Sequence, residues 1–150
     1  MIEFRPPRNE KEWEYYYDLR YRILREPLGK ERGSEKNEGD ELGEHICLYD
    51  NGILKAIARL DKTDKPKVAQ VRFVAVEKAQ QGKGYGRMIM KAVEEISEQR
   101  GDIKMILHAR DYAVDFYLKL GYKNLEKSYL LFGVLQHYLM ERIYLSLIHI

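Results

Sequence analysis

Residues 80–87 constrain the fold of this chain most, because they join an apolar strand pattern directly to an amphipathic helix pattern. They read Gln-Gln-Gly-Lys-Gly-Tyr-Gly-Arg, with glycine at three alternate positions. Glycine allows a tight turn and lets a ligand approach the backbone closely. The unpaired N–H groups and the dipole of the following helix, together with Lys83 and Arg87, favour an anion at this point. The segment therefore predicts an α/β fold with a loop that binds a diphosphate.

Two other nucleotide-binding loops fit this segment poorly. A Walker-A loop needs Ser or Thr directly after its lysine, whereas Gly84 follows Lys83 here. The dinucleotide fingerprint G-x-G-x-x-G differs from the spacing Gly82-x-Gly84-x-Gly86, and the strand before the loop is the fourth rather than the first. A plain strand-to-helix turn is the remaining alternative, but three glycines and two cations are more than such a turn requires.

The rest of the chain predicts the element order β-α-β-β-β-α-β-α-β-β in one domain over residues 1–150. Asn9 and Glu12 form a capping pair at the start of the first helix. The fourth and fifth strands can pair in parallel through a right-handed crossover. Residues 30–44 hold a single large apolar side chain and predict a mobile, exposed loop or a poorly formed helix. The later predicted elements are strands His45–Tyr49, Ile53–Leu60 and Val68–Val76, a helix from about Gly84, strand Ile103–His108, a helix over Asp111–Leu120, and strands Tyr122–Leu131 and Tyr138–Leu145.

Length and composition exclude several classes of protein. A chain of 150 residues can bury a core without staples, and a single cysteine, Cys47, excludes a disulfide framework or a Cys-rich zinc site. We expect no metal site. The net charge of +2 argues against nucleic-acid binding. The charged, proline-broken start is unlike a signal peptide, and the apolar tail 143–150 is far shorter than the ~20 residues that span a bilayer. We therefore expect a cytoplasmic protein that does not bind membranes.

Two motifs resemble those of the GNAT family of N-acetyltransferases. Gln81-x-x-Gly84-x-Gly86 matches the family's acetyl-CoA signature, Q/R-x-x-G-x-G/A. Residues 71–76 look like the family's fourth strand. The second motif of the family, usually written N-x-x-A-x-x-F-Y-x-x-x-G-F, resembles the segment Ala113-x-x-Phe116-Tyr117-x-x-x-Gly121-Tyr122.

Within this family the chain looks most similar to a small subgroup that includes the bacterial ElaA and YjcF proteins. The similarity rests on Asp40 to His45, on Ala58-Arg59-Leu60, on Arg72 before an apolar stretch, and on Gln136-His137-x-x-Met140. The resemblance implies a single mixed α/β domain whose parallel fourth and fifth strands splay apart between flanking helices.

The resemblance also implies acetyl-CoA as the cofactor and a set of residues that hold it. The fourth strand pairs with the pantetheine arm through its main chain, and the backbone amides of the glycine segment hold the diphosphate. The implied cofactor-binding residues are Val74, Val76, Gln81, Gly82, Lys83, Gly84, Gly86 and Arg87.

The implied reaction is direct attack of a primary amine on the thioester, with three candidate catalytic residues. The amide of Val74 would polarise the acetyl carbonyl, and Tyr117 would protonate the leaving thiolate. No general base stands out, because Gln70 stands where some relatives carry glutamate. His45 can titrate near neutrality and is the candidate considered for this role, with ordered water as the alternative.

Several residues keep more than one interpretation at this stage. Arg110 replaces the asparagine of the second motif, and it has no assigned role. His137 has the same standing as His45. Cys47 lies between apolar residues and fits a small buried side chain better than an acetylated nucleophile.

The acceptor and the biological role are open in the sequence. The acidic segment Glu35–Glu44 would favour a cationic amine of a small molecule or peptide, or would simply be solvated. Arg72 would bind an acceptor carboxylate, or would pair with an acid in the core. The alternative function is a non-catalytic acyl-CoA-binding or sensor module. An apolar C-terminal strand could also pair with a second copy, which makes a homodimer possible.

Overall fold

The computed structural model describes residues 1–144 and shows a mixed α/β architecture. The strands are β1 (Ile2–Arg5), β2 (Glu44–Asp50), β3 (Ile53–Lys62), β4 (Val68–Val76), β5 (Lys104–Arg110), β6 (Lys123–Leu131) and β7 (Leu135–Ile143). The α-helices are α1 (Glu10–Leu24), α2 (Tyr85–Gln99) and α3 (Val114–Lys119). Short 3-10 helices lie at Glu26–Leu28, Glu38–Glu41, Lys78–Gln80 and Asp111–Ala113.

The strands form one sheet in the order β1-β2-β3-β4-β5-β7-β6. β4 and β5 are parallel, and their pairing covers Val68–Gln70 against Lys104–Ile106. The pairs β1·β2, β2·β3, β5·β7 and β6·β7 are antiparallel. The predicted mixed sheet with a parallel pair of fourth and fifth strands is confirmed.

The chain divides into two compact units, and the division falls inside β4 after Gln70. The first unit contains residues 1–61 and 71–95, and the second contains residues 62–70 and the described residues from 96 onward. In the first unit, one face of α1 packs on the sheet, and the buried residues of this cluster are Tyr16, Leu19, Leu24, Cys47, Tyr49, Ile57 and Ala75. In the second unit, Met105, Leu107, Tyr117, Tyr122 and Met140 are buried.

Element boundaries follow the sequence closely where local signals are strong. The Asn9 side chain accepts a hydrogen bond from the Glu12 N–H at 2.9 Å, so the predicted helix cap is confirmed. β4 has the predicted bounds. The final strand begins at Leu135 rather than Tyr138, and the predicted end at Leu145, with the rest of the apolar tail 145–150, lies outside the described residues.

Residues 30–44 form a largely exposed loop with one short 3-10 helix, as expected, but specific contacts hold several of their side chains. Asn37 caps the 3-10 helix Glu38–Glu41 through a capping box, in which its side chain accepts from the Gly39 N–H and Asp40 accepts from the Asn37 N–H. Glu35 is buried and accepts a hydrogen bond from the Gly33 N–H at 2.7 Å. Composition shows the charges of this segment, but it does not show that buried partners hold them.

Two kinds of feature are absent from residues 1–144. No helix in this part of the chain is long and apolar enough to cross a membrane. No group of three or more His, Cys, Asp or Glu side chains in it is arranged to hold a metal ion.

Candidate functional site

The glycine loop, residues 81–87, has the backbone conformation that its sequence suggests. Gly82 and Gly84 adopt φ values of 85° and 86°, which side-chain-bearing residues rarely adopt. The Met88 N–H donates to the Gly84 carbonyl at 3.0 Å, so the N–H groups of the preceding residues lie before the helical ladder of α2. The loop therefore presents backbone donors at a helix N-terminus, where an anion is favoured.

Two side chains fix the glycine loop to the first unit. The Tyr85 hydroxyl donates to Asp50 Oδ2 at 2.7 Å, which ties the start of α2 to the end of β2. The Gln81 side chain donates to the Val76 carbonyl at 3.2 Å, which closes the turn onto the last residue of β4. The N–H groups of Gln81 and Lys83 each make a long bond of 3.4 Å to a local carbonyl, so they are only weakly engaged in the turn.

The charges of the loop are directed to solvent. Lys83 and Arg87 are exposed, and within residues 1–144 neither forms an ion pair. A diphosphate needs backbone N–H donors and cations at one point, and this loop supplies both. The residues present therefore fit the diphosphate of coenzyme A.

β4 is interrupted at Phe73, which sequence reasoning missed. Phe73 has φ 55° although it is a large side chain in the middle of a strand. A left-handed residue breaks the regular strand and re-aims the peptide groups beside it, as a β-bulge does. Val74 and Val76 follow it and are half-buried. No sequence signal marked this position, because phenylalanine favours regular strands and glycine is the usual residue at such a φ.

Two fully buried arginines lie beside the interruption in β4. The guanidinium carbons of Arg20 and Arg59 lie 4.2 and 4.9 Å from the centroid of the Phe73 ring. Asp40 Oδ1 accepts from both, at 2.8 Å from Arg20 and 2.7 Å from Arg59. Asp61 accepts two further bonds from Arg59, at 2.8 and 2.7 Å. We call Arg20, Arg59, Asp40, Asp61 and Phe73 the arginine cluster.

The Asp40 carboxylate of the cluster remains charged. Burial alone would raise the pKa of Asp40, but bonds from the Asn37 N–H and from both arginines outweigh it and hold that pKa below its usual range. Asp40 therefore neutralises buried cations, and it does not form an exposed acidic wall for a cationic substrate.

Two glycines allow the segment before β2 to lie directly on Arg59. A Cβ at Gly39 would lie 2.6 Å from Arg59 Nη2. A Cβ at Gly43 would lie 2.6 Å from Asp61 Oδ1 and 2.7 Å from Arg59 Cγ. Real Cβ atoms essentially never come this close to another atom, so a side chain at either position would force Arg59, Asp61 or the segment itself to shift.

His45 lies at the edge of the arginine cluster with both ring nitrogens engaged. Nε2 is 2.8 Å from the Asp40 carbonyl, which can only accept, so Nε2–H is the donor. Nδ1 of the neutral ring then accepts from the Tyr16 hydroxyl at 2.7 Å, and that hydroxyl accepts from Arg20 at 2.9 Å. Burial lowers the pKa of His45, and the bond to the Asp40 carbonyl offsets only part of this effect.

Tyr117 is in the second unit, on α3, and it is buried. Its ring makes edge contacts with Phe116 and Tyr122, at centroid distances of 5.0 and 5.8 Å. Burial raises its pKa, so the hydroxyl keeps its proton at neutral pH. Among the described residues, its hydroxyl has no hydrogen-bond partner. These properties suit a group that donates a proton.

The other candidate residues have contacts that explain their positions. His137 is buried and stacks on Tyr129, with ring centroids 4.4 Å apart. Arg110 donates to the Tyr112 hydroxyl at 3.1 Å. Cys47 is fully buried, and burial raises its pKa to about 12, which keeps the thiol protonated and agrees with the small buried side chain expected from sequence. Arg72 is exposed rather than partly buried, which corrects the expectation of burial in the core.

Comparison with known proteins gives consistent matches along the chain. The sequence model of the acetyltransferase (GNAT) family matches residues 8–122. The N-acetyltransferase YjcF of Bacillus subtilis is 29% identical over 128 residues, covering 85% of this chain and 90% of YjcF. The crystal structure of Escherichia coli ElaA superposes with a TM-score of 0.79 at 23% identity, covering 95% of this chain and 99% of ElaA. The PaiA N-acetyltransferase of Thermoplasma acidophilum, solved in complex with coenzyme A, gives a TM-score of 0.75 at 14% identity over 96% of this chain and 99% of PaiA.

Proposed function

Because the chain belongs to the acetyltransferase (GNAT) family, we propose that it transfers the acetyl group of acetyl-CoA directly to a primary amine of a small molecule or peptide. The predicted similarity to YjcF and ElaA is confirmed. Acetyl transfer from a coenzyme A donor follows from the family and from relatives solved with coenzyme A. The amine acceptor, the direct transfer and the residue roles below are the proposal.

The glycine loop is the observation that carries the proposal. Its free backbone donors at the start of α2 and its two exposed cations support binding of the diphosphate. In this assignment the amides of Gln81, Gly82, Lys83, Gly84, Gly86 and Arg87 form the binding loop, and the main chains of Val74 and Val76 align the pantetheine arm. The interruption of β4 at Phe73 supports a special role for the Val74 N–H beside it, namely to donate to the acetyl carbonyl oxygen.

The thioester supplies an activated acetyl group, and the protein's residues manage charge and protons around it. The amine nitrogen forms a bond to the acetyl carbon while the carbon–sulfur bond breaks. The Tyr117 hydroxyl protonates the departing sulfur, and a proton lost from the amine restores it through solvent. The Tyr117 hydroxyl is protonated at neutral pH, as this role requires, and burial keeps it so by raising its pKa.

The proton that leaves the ammonium group needs an acceptor. A catalytic role for His45 stays a prediction. Its contacts favour a positioning role, because Nδ1 already accepts from Tyr16 and Nε2 donates to Asp40. We therefore prefer ordered water as the acceptor of this proton. The homodimer, the cytoplasmic location and the lack of nucleic-acid binding also stay predictions.

Calorimetric titration with acetyl-CoA tests the donor site. We expect micromolar binding by the wild type and at least a 100-fold loss in Gly84→Glu, because the added carboxylate lies in the anion site. Gly101→Glu is the matched control, since Gly101 also has a left-handed φ, of 96°, and open space around it, and it follows the other end of α2. A folded wild type that does not bind acetyl-CoA would refute the proposal.

Tyr117→Phe separates the enzyme from a non-catalytic sensor module. We expect turnover, measured as thiol release, to fall by about 100-fold or more while acetyl-CoA affinity is unchanged. Tyr112→Phe makes the same chemical change at an exposed position and should keep full activity. A wild type that binds acetyl-CoA but acetylates no amine would favour the sensor.

A further inference from the structure

Four arginines surround a single aromatic ring in the first unit, and one of them differs from the rest. The guanidinium carbons of Arg20, Arg59, Arg72 and Arg25 lie 4.2, 4.9, 5.3 and 5.7 Å from the Phe73 centroid. Arg20 and Arg59 are fully buried and bonded to carboxylates. Arg25 donates to the backbone carbonyls of Ser34 and Leu24. Arg72 is exposed.

The donors of Arg72 have no acceptor within residues 1–144. No ion pair or hydrogen bond of its guanidinium is present in the described part of the chain. An arginine held on an aromatic face keeps its planar edge available for a bidentate partner. Of the four cations around Phe73, Arg72 is therefore the one that can bind a group from solvent.

The neighbouring charges favour an anion as this group. Asp40 accepts from both Arg20 and Arg59, and Asp61 accepts from Arg59, so these two carboxylates do not exceed the two guanidiniums that they bind. The buried Arg20 Nε also lacks a hydrogen-bond acceptor. One buried guanidinium donor beside the same ring is thus without an acceptor among the described residues.

The position of Arg72 along β4 connects this cation to the reaction. Arg72 precedes Phe73, and the Val74 N–H is the proposed donor to the acetyl carbonyl. Two residues of chain separate the Cα atoms of Arg72 and Val74 by at most ~7 Å. This short separation allows one small acceptor to bind Arg72 and to place its amine at the acetyl group.

We propose that the acceptor of this enzyme carries a carboxylate close to its primary amine, and that Arg72 binds this carboxylate. The inference rests on the proposed N-acetyl transfer and names its substrate class. A carboxylate suits the site because its two oxygens match the fork of one guanidinium. The acceptor would be an amino acid or a similar short amino-carboxylate.

Matched pairs of acceptors test this inference directly. Thiol release is measured with glycine, β-alanine and 4-aminobutyrate, each compared with its carboxamide. We expect at least one acid to be acetylated with a kcat/KM about 10- to 100-fold above that of its amide, as for a charge-assisted contact. The amine of the amide is less basic and therefore more often neutral, so amine chemistry alone would favour the amide.

Substitutions at Arg72 identify the residue that causes the preference. Arg72→Gln should bring acid and amide to within about threefold of each other, mainly through a higher KM for the acid, and Arg72→Lys should retain part of the preference. Lys11→Gln removes one exposed positive charge from α1 and should leave the preference unchanged. Titration of the coenzyme A complex with the N-acetylated acid and its amide should give the same order without turnover.

The possible failures are distinguishable. Equal turnover of acid and amide by the wild type, turnover of neutral amines alone, or a preference that survives in Arg72→Gln would overturn the carboxylate inference. Each of these leaves the acetyltransferase proposal intact, provided that Gly84→Glu abolishes acetyl-CoA binding. A wild type that does not bind acetyl-CoA would overturn both.

Discussion

The glycine loop and the arginine cluster both belong to the first unit, but they are built in opposite ways. The loop is a run of seven consecutive residues, with exposed cations and with backbone donors at Gln81 and Lys83 that bond local carbonyls only weakly. The cluster joins side chains from α1, the segment before β2, β3 and β4, and its cations are buried and bonded to Asp40 and Asp61. One region has its cations exposed to a ligand, and in the other the cations are buried and already paired with carboxylates.

This difference shows that polar residues serve two separate purposes within one unit. An exposed, unpaired charge contributes little to folding stability. Substituting such a residue should therefore alter ligand binding without altering the free energy of unfolding. When one member of a buried ion pair is substituted, its partner stays buried without a counter-charge. Variants of the cluster should therefore destabilise the protein, whereas variants of the loop should weaken only acetyl-CoA binding.

The largest effect is expected for Asp40→Asn. The substitution keeps the shape but leaves Arg20 buried without its carboxylate, so the free energy of unfolding should fall by about 3–5 kcal/mol. Urea denaturation followed by circular dichroism measures it. Glu41→Gln is the control, because Glu41 is exposed in the same 3-10 helix. This substitution should change the free energy of unfolding by less than about 0.5 kcal/mol. An equal effect of the two substitutions would contradict the cluster.

A smaller loss is expected for Gly43→Ala. The new Cβ would lie 2.6 Å from Asp61 Oδ1, so the segment must shift away from Arg59 at a cost of about 1–3 kcal/mol. The same denaturation experiment applies. Leu42→Ala removes a side chain that is 93% exposed at the neighbouring position and should be nearly neutral. A neutral Gly43→Ala would mean that close packing on Arg59 is not required.

The glycine loop should respond in affinity alone. Lys83→Gln and Arg87→Gln are each expected to weaken acetyl-CoA binding about 3- to 10-fold, and the loss should shrink at high salt because both cations are exposed. Calorimetry at two salt concentrations measures this. Lys91→Gln, on the exposed side of α2, should bind as the wild type does. The free energy of unfolding of each loop variant should stay within about 0.5 kcal/mol of the wild-type value. A larger decrease would contradict the difference between the two regions.

The smallest effect concerns pH near neutrality. The pKa of His45 is below its ordinary 6.5 in the folded state, so the unfolded chain binds its proton first as the pH falls. The stability from a neutral His45 is thus fully present above pH 6.5 and is lost as the pH falls toward the folded pKa. Unfolding free energies from pH 7.5 to 5.5 should show this decline (~0.5 kcal/mol or more), and His45→Gln should flatten it. If the free energy of unfolding falls equally with pH in the wild type and in His45→Gln, other groups cause the decline.

Sequence reasoning succeeded where function depends on neighbours along the chain. Gly82 and Gly84 have the φ values that a tight anion-binding turn requires, and the Asn9 cap forms as its spacing predicts. It failed where partners are distant in sequence. The specific contacts of the segment 30–44 were missed because its acids were visible and the arginines that hold Asp40 were not. Phe73 gave no signal at all, since its left-handed backbone is imposed by its surroundings.

The sequence by itself determined the order of strands and helices, the parallel pair, the family and the glycine loop at the start of α2. These depend on periodicity and on backbone groups that act within a few residues. Only the tertiary structure decided which charges are satisfied and which remain available, because pairing in a core is a matter of distance in space. Nothing in the sequence alone distinguishes Arg20 and Arg59 from Arg72. Burial against Asp40 satisfies the first two and leaves Arg72 exposed with unpaired donors.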